Sequence, residues 1–134
     1  MQLVKPIDIE AALSADLGEK LSGVTCCAPP APDDLASDTV CVTNVGGGAQ
    51  SPVSYEHDVS IDCWAATPAA AMELANNVAG YVAALPILTF TSGRCYATSE
   101  INATPYLNPD PYRPLLPRAT FRASVGIRGA NFLS

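Results

Sequence analysis

The stretch Val53 to Ala66, VSYEHDVSIDCWAA, alternates with period two. Tyr55, His57, Val59, Ile61, Cys63 and Ala65 share one parity, and Ser54, Glu56, Asp58, Ser60 and Asp62 share the other. Successive side chains of a strand point to opposite faces, so the spacing predicts one long strand with a buried face and a polar face. Arg118 to Arg128 repeats the pattern. Ala119, Phe121, Ala123, Val125 and Ile127 alternate there with Arg118, Thr120, Arg122, Ser124 and Arg128. One polar face carries acids and the other carries arginines. Opposite charges on neighbouring strands stabilise by roughly 0.2–1 kcal/mol per pair. The two strands are therefore expected side by side and antiparallel in one sheet, with Glu56, Asp58 and Asp62 beside two or more of Arg118, Arg122 and Arg128. A helix is expected over the apolar side.

The rest of the chain supplies that helix and further strands. Ile9, Leu13, Leu17 and Leu21 recur at four-residue steps, predicting a helix over Ile7 to Leu21 with Asp8 as its cap and Gly23 as its stop. Val24 to Asp38 contains APPAPDD and reads as an extended connector. Asp38 to Val45 is β-branched and reads as a strand, followed by a flexible hairpin-like loop over Gly46 to Pro52. Thr67 and Pro68 open a second helix through about Leu85, with Met72, Ala75, Val78, Ala79, Val82 and Leu85 along one stripe. Short strands are expected around Ile87 to Thr91 and Gly93 to Ile101. The prolines at 105, 109, 111, 114 and 117 predict an irregular arm over 102–117, and 130–134 reads as a loose tail. The order of helix, strands, helix, strands predicts an α+β domain with a mainly antiparallel sheet and two helices, one packed on its apolar face.

A chain of 134 residues is expected to form one domain, 1–134, with a core of its own. Hydrophobic residues make up 49% and charged residues 15%, a balance that suits a subunit with interfaces to hide. The net charge of −6 argues against gripping a nucleic-acid backbone, which takes clustered Lys and Arg. The opening MQLVKPIDIE turns acidic before any apolar run develops, so no secretory signal is expected, nor is a membrane span. Five cysteines is an odd count without a CxxC pair, which favours buried thiols in a reducing cytoplasm over a zinc site or a disulfide framework.

Few residues combine into chemistry. His57 and Cys63 share a strand face, but six residues of strand span roughly 20 Å, too far for a base and its nucleophile within one chain. Glu56, Asp58 and Asp62 read as solvated or paired acids rather than metal ligands. The GGG at Gly46 lacks the helix and the Lys-Ser/Thr of a phosphate loop. No catalytic residue, cofactor or metal is therefore expected. Trp64 falls on the polar parity, where an indole needs a cover, either an internal loop or a neighbouring subunit.

The strand ending VTNVGGG, the run HDVSIDCWA, the helix TPAAAMELANNVAGYVAAL and the ending NPDPYRPLLPRATFRASVGIRG together resemble phage tail terminator proteins, over roughly Ile9 to Gly129. The resemblance implies a structural virion protein for head–tail joining. In that reading it forms a homo-oligomeric ring, usually a hexamer, that caps the tail tube, ends its growth and joins it to the head connector. DNA would pass through the channel without specific binding. The protein would sit at the tail–neck junction of the virion after assembly in the host bacterial cytoplasm. Trp64, Pro109, Tyr112 and Arg113 are then the candidate subunit interface. Asp33, Asp34, Gly46, Gly47 and Gly48 are the candidate lumen. A neck or head-closure protein at the same junction is the near alternative, and a small thiol enzyme using Cys63 or Cys95 the remote one.

Overall fold

The computed structural model describes residues 3–33 and 38–133. Its elements are β1 (Leu3–Lys5), α1 (Ile9–Lys20), β2 (Thr25–Cys27), β3 (Thr39–Ala49), β4 (Ser54–Trp64), α2 (Pro68–Ala83), a 3-10 turn (Leu85–Ile87), β5 (Tyr96–Leu107), β6 (Arg118–Arg128) and β7 (Ala130–Leu133). Both helices begin where their caps place them. The Asp8 side chain accepts from the Ala11 N–H, and the Thr67 hydroxyl accepts from the Ala70 N–H ahead of Pro68. Ile9, Leu13, Leu17 and Leu21 are all buried, as their four-residue spacing requires.

Five strands form one sheet in the order β2-β3-β4-β6-β5. All its pairs are antiparallel except β2 with β3. α1 packs on β2 and β3, and α2 packs on β4, β5 and β6. The core of Val40, Val42, Val59, Ile61, Phe121, Ala123 and Val125 lies between these helices and the sheet. The fold is α+β, as the order of elements predicts. At the far end β1 pairs antiparallel with β7 as a separate two-stranded ribbon, so the tail expected to be loose is a strand over 130–133. Neither segment alternates long enough to read as a strand in sequence.

β4 and β6 are antiparallel neighbours, in register from Ser54 opposite Arg128 to Trp64 opposite Arg118. The expected contacts between their charges are a correction. Glu56, Asp58 and Asp62 face Gly126, Ser124 and Thr120, while Arg118, Arg122 and Arg128 face Trp64, Ser60 and Ser54. Each arginine is displaced one step along the ladder from an acid. Asp58 accepts from the Ser124 hydroxyl and Asp62 from the Thr120 hydroxyl, each at 2.6 Å. Short hydroxyl–carboxylate bonds across the rung satisfy the acids without ordering a long arginine side chain, which costs rotamer entropy.

Three more expectations shift. β5 runs on to Leu107, so 102–107 is strand and the arm is 108–117. β5 is an edge strand, and its register shifts between Ala103 and Tyr106, where Pro105 needs no ladder hydrogen bond. No strand forms over 88–91; the chain follows the 3-10 turn irregularly into β5. Gly46, Gly47 and Gly48 belong to β3, opposite Asp58, His57 and Glu56, and the turn is confined to 50–53. A bulge after Asn44 admits them, and Gly47 has φ +124°. A Cβ at Gly47 would collide with the Glu56 carbonyl oxygen, so the close approach of the two strands requires glycine there.

Candidate assembly surface

The arm between β5 and β6 is irregular yet pinned. Arg118 Nε donates to the Asn108 carbonyl at 2.8 Å, and the Ala65 N–H donates to the Pro117 carbonyl at 3.3 Å. At its centre Asp110 turns inward and is 3% exposed. One carboxylate oxygen accepts from the Tyr112 N–H at 2.9 Å; the other accepts from Trp64 Nε1 at 3.2 Å and from Arg113 Nη1 at 3.1 Å. Burial alone would raise the Asp110 pKa. The Tyr112 N–H, Arg113, the nearby Arg118 charge and the indole outweigh it, so the carboxyl is held below its ordinary value.

This anchor decides the cover of Trp64. The arm buries it to 3% exposure, and the guanidinium carbons of Arg113 and Arg118 lie 5.5 and 5.9 Å from the ring centroid. Trp64 is therefore not an interface residue of the folded chain; its cover is the internal loop. Arg113 also points inward, donating to the carbonyls of Ala31 and Pro32 in the connector. The other two candidates face out. Pro109 is exposed, and Tyr112 is 88% exposed. Leu115, not singled out in the sequence, is 96% exposed at the same arm, and Leu107 leading into it is half-exposed. Nothing in the sequence separates Leu115 from Leu116, because the turn that points one out and tucks the other in depends on the Asp110 anchor.

Of the candidate lumen, Asp33 is exposed on the connector, and Asp34 lies outside the described residues. Gly46 to Gly48 are exposed backbone of β3 rather than a loop. His57 is buried, and among the described residues its Nε2 has no hydrogen-bond partner. Burial lowers its pKa, against a smaller opposing pull from Asp58. All five cysteines are free thiols. The Cys63 thiol is fully buried and pushed far up by burial, with Asp62 and Cys26 adding to the effect.

A second buried network has no counterpart in the sequence reading. Asp16 of α1 accepts from Arg94 Nε at 2.8 Å, Arg94 Nη2 at 3.0 Å, Tyr96 OH at 2.7 Å and Ser92 Oγ at 2.9 Å. It ties α1 to the start of β5. A cleft of about 770 Å³ between the end of α1 and α2 is lined by Lys20, Glu73, Asn76, Asn77 and Tyr81 and includes neither His57 nor a cysteine. Among the described residues no three His, Cys, Asp or Glu side chains group as metal ligands, and no helix is long and apolar enough to cross a membrane.

No protein family's sequence model matches the chain, and no curated protein matches it.

Proposed function

We propose that this chain is a structural, ring-forming subunit of a phage virion that caps the tail tube and joins it to the head connector. The observation that carries the reading is the arm. A buried carboxylate, an indole and two guanidiniums hold its backbone, while Tyr112 and Leu115 stand 88% and 96% exposed. Large apolar side chains held out in water by a rigid base suit a contact that forms with little further ordering. The resemblance to phage tail terminator proteins over Ile9 to Gly129 suggests the kind of assembly. The net charge of −6 suits a channel that lets DNA pass without holding its phosphates.

A thiol enzyme is poorly served by this arrangement. Cys63 is buried as a neutral thiol, and exposed Cys95 directs its Sγ to the Gly93 carbonyl at 3.7 Å. The test is to add the purified chain to polymerising tail-tube protein of its own phage. The reading expects tubes of arrested length with density of this chain at one end, seen by electron microscopy. Unchanged tube growth with no end-bound density would contradict it.

A further inference from the structure

We propose that Cys27 and Cys41 form a reversible, oxidisable dithiol that clips β2 to β3. The two residues are register partners on adjacent parallel strands, so their side chains leave the same face of the sheet. Neighbouring strands lie about 4.8 Å apart. That falls inside the roughly 4.4–6.8 Å Cα separation a disulfide spans. The two thiols are close enough to interact directly.

The same register excludes pairings through Cys26 and Cys63. Cys26 and Cys27 are consecutive on a strand and point to opposite faces. Cys26 lies opposite Val40, which in turn lies opposite Cys63, so two strand spacings separate those thiols, about 9.6 Å and beyond bridging range. Cys41 lies opposite Asp62, which puts Cys63 on the other face. Cys95 is exposed on the irregular segment before β5.

Exposure sets the order of events. Cys27 is partly exposed and Cys41 is buried. With oxidised glutathione as the oxidant, the Cys27 thiolate attacks the glutathione disulfide, forming a mixed disulfide and releasing one glutathione. Cys41 then loses its proton and attacks the Cys27 sulfur, closing the bridge and releasing the second glutathione. The protein loses two electrons and two protons, and the glutathione disulfide gains them. The Cys41 thiol is pushed up chiefly by burial, so the closing step quickens as pH rises. Direct neighbours in a parallel ladder hold their Cβ atoms wider than a relaxed disulfide prefers, so the bridge opens readily with dithiothreitol. Once closed, it ties down the connector whose Ala31 and Pro32 carbonyls receive Arg113 from the arm.

The experiment treats the folded full chain with oxidised glutathione at pH 8, quenches in acid, alkylates free thiols in denaturant and maps peptides by mass. The expected product is a Cys27–Cys41 bridge with Cys26 and Cys63 alkylated, reversed by dithiothreitol. Cys41→Ser should stop at glutathione on Cys27, and Cys27→Ser should form no internal bridge. A bridge through Cys26 or Cys63, a stable mixed disulfide on Cys27 with Cys41 free, or both thiols left reduced in the natural sequence would each overturn the proposal. The decisive result comes from the natural sequence, so a variant that fails to fold does not rescue it.

Discussion

Trp64 Nε1 donates to Asp110 Oδ2 at 3.2 Å, joining the end of β4 to an arm 46 residues further along the chain. That carboxylate oxygen also receives Arg113 Nη1, so one buried atom organises the indole, the arm and the connector beyond it. Asp110→Ala would leave the indole N–H and the Arg113 Nη1 group without their acceptor in a covered site, while Arg113 Nη2 keeps the Ala31 and Pro32 carbonyls. The expected loss is about 2–3 kcal/mol in urea unfolding. The emission of the single tryptophan should also shift red in the folded state.

The same site makes the arm acid-sensitive. Asp110 and Asp16 both have carboxyl pKa values held below the ordinary 3.8 by their partners. A depressed folded pKa gives stability that is full above the unfolded value and is lost as pH falls through the folded one. Tryptophan emission should therefore be constant above about pH 5 and shift red below about pH 4, with Asp110→Asn removing most of that change.

His57 acts in a higher window. Its folded pKa is lowered from 6.5, chiefly by burial. The unfolded chain therefore takes up a proton more readily, and the contribution, full above pH 6.5, declines as pH falls through that value toward the folded one. Thermal midpoints measured from pH 7.5 to 5 should fall, and His57→Phe should flatten the slope.

How much of this was legible follows from which interactions are local. Period-two alternation gave β4 and β6 almost to the residue, because a buried face constrains every second side chain. The caps at Asp8 and Thr67 were legible because they involve neighbours three residues on. Asp110 was not, because nothing near it in sequence announces Trp64. Pro105 misled by suggesting an arm where an edge strand tolerates it. The glycines misled by suggesting a loop where two backbones approach closely.

The charge reading gives a direct comparison of side chains. Arg122 is exposed and faces Ser60, so Arg122→Ala should change stability by less than about 0.5 kcal/mol. Thr120 is buried, accepts from Asn108 Nδ2 and donates to Asp62. Thr120→Val removes both bonds and should cost about 1–3 kcal/mol by chemical denaturation.

Gly47 tests the close approach of β3 to β4. Alanine there would combine φ +124° with a collision against the Glu56 carbonyl. A loss of roughly 2–3 kcal/mol is expected by thermal or urea unfolding, whereas Gly48→Ala, which meets open space, should cost under about 1 kcal/mol.

The central claim is that the pinned arm joins copies of this chain into a closed ring. The most direct measurement is the native mass of the purified chain beside that of a Tyr112→Lys, Leu115→Lys double variant. The account predicts a single closed oligomer of hexameric mass for the natural sequence. It predicts a monomer with an unchanged urea midpoint for the variant, since both side chains stand in solvent in the folded chain. A natural chain that stays monomeric at all concentrations, or a variant that assembles as well as the natural chain, would contradict it.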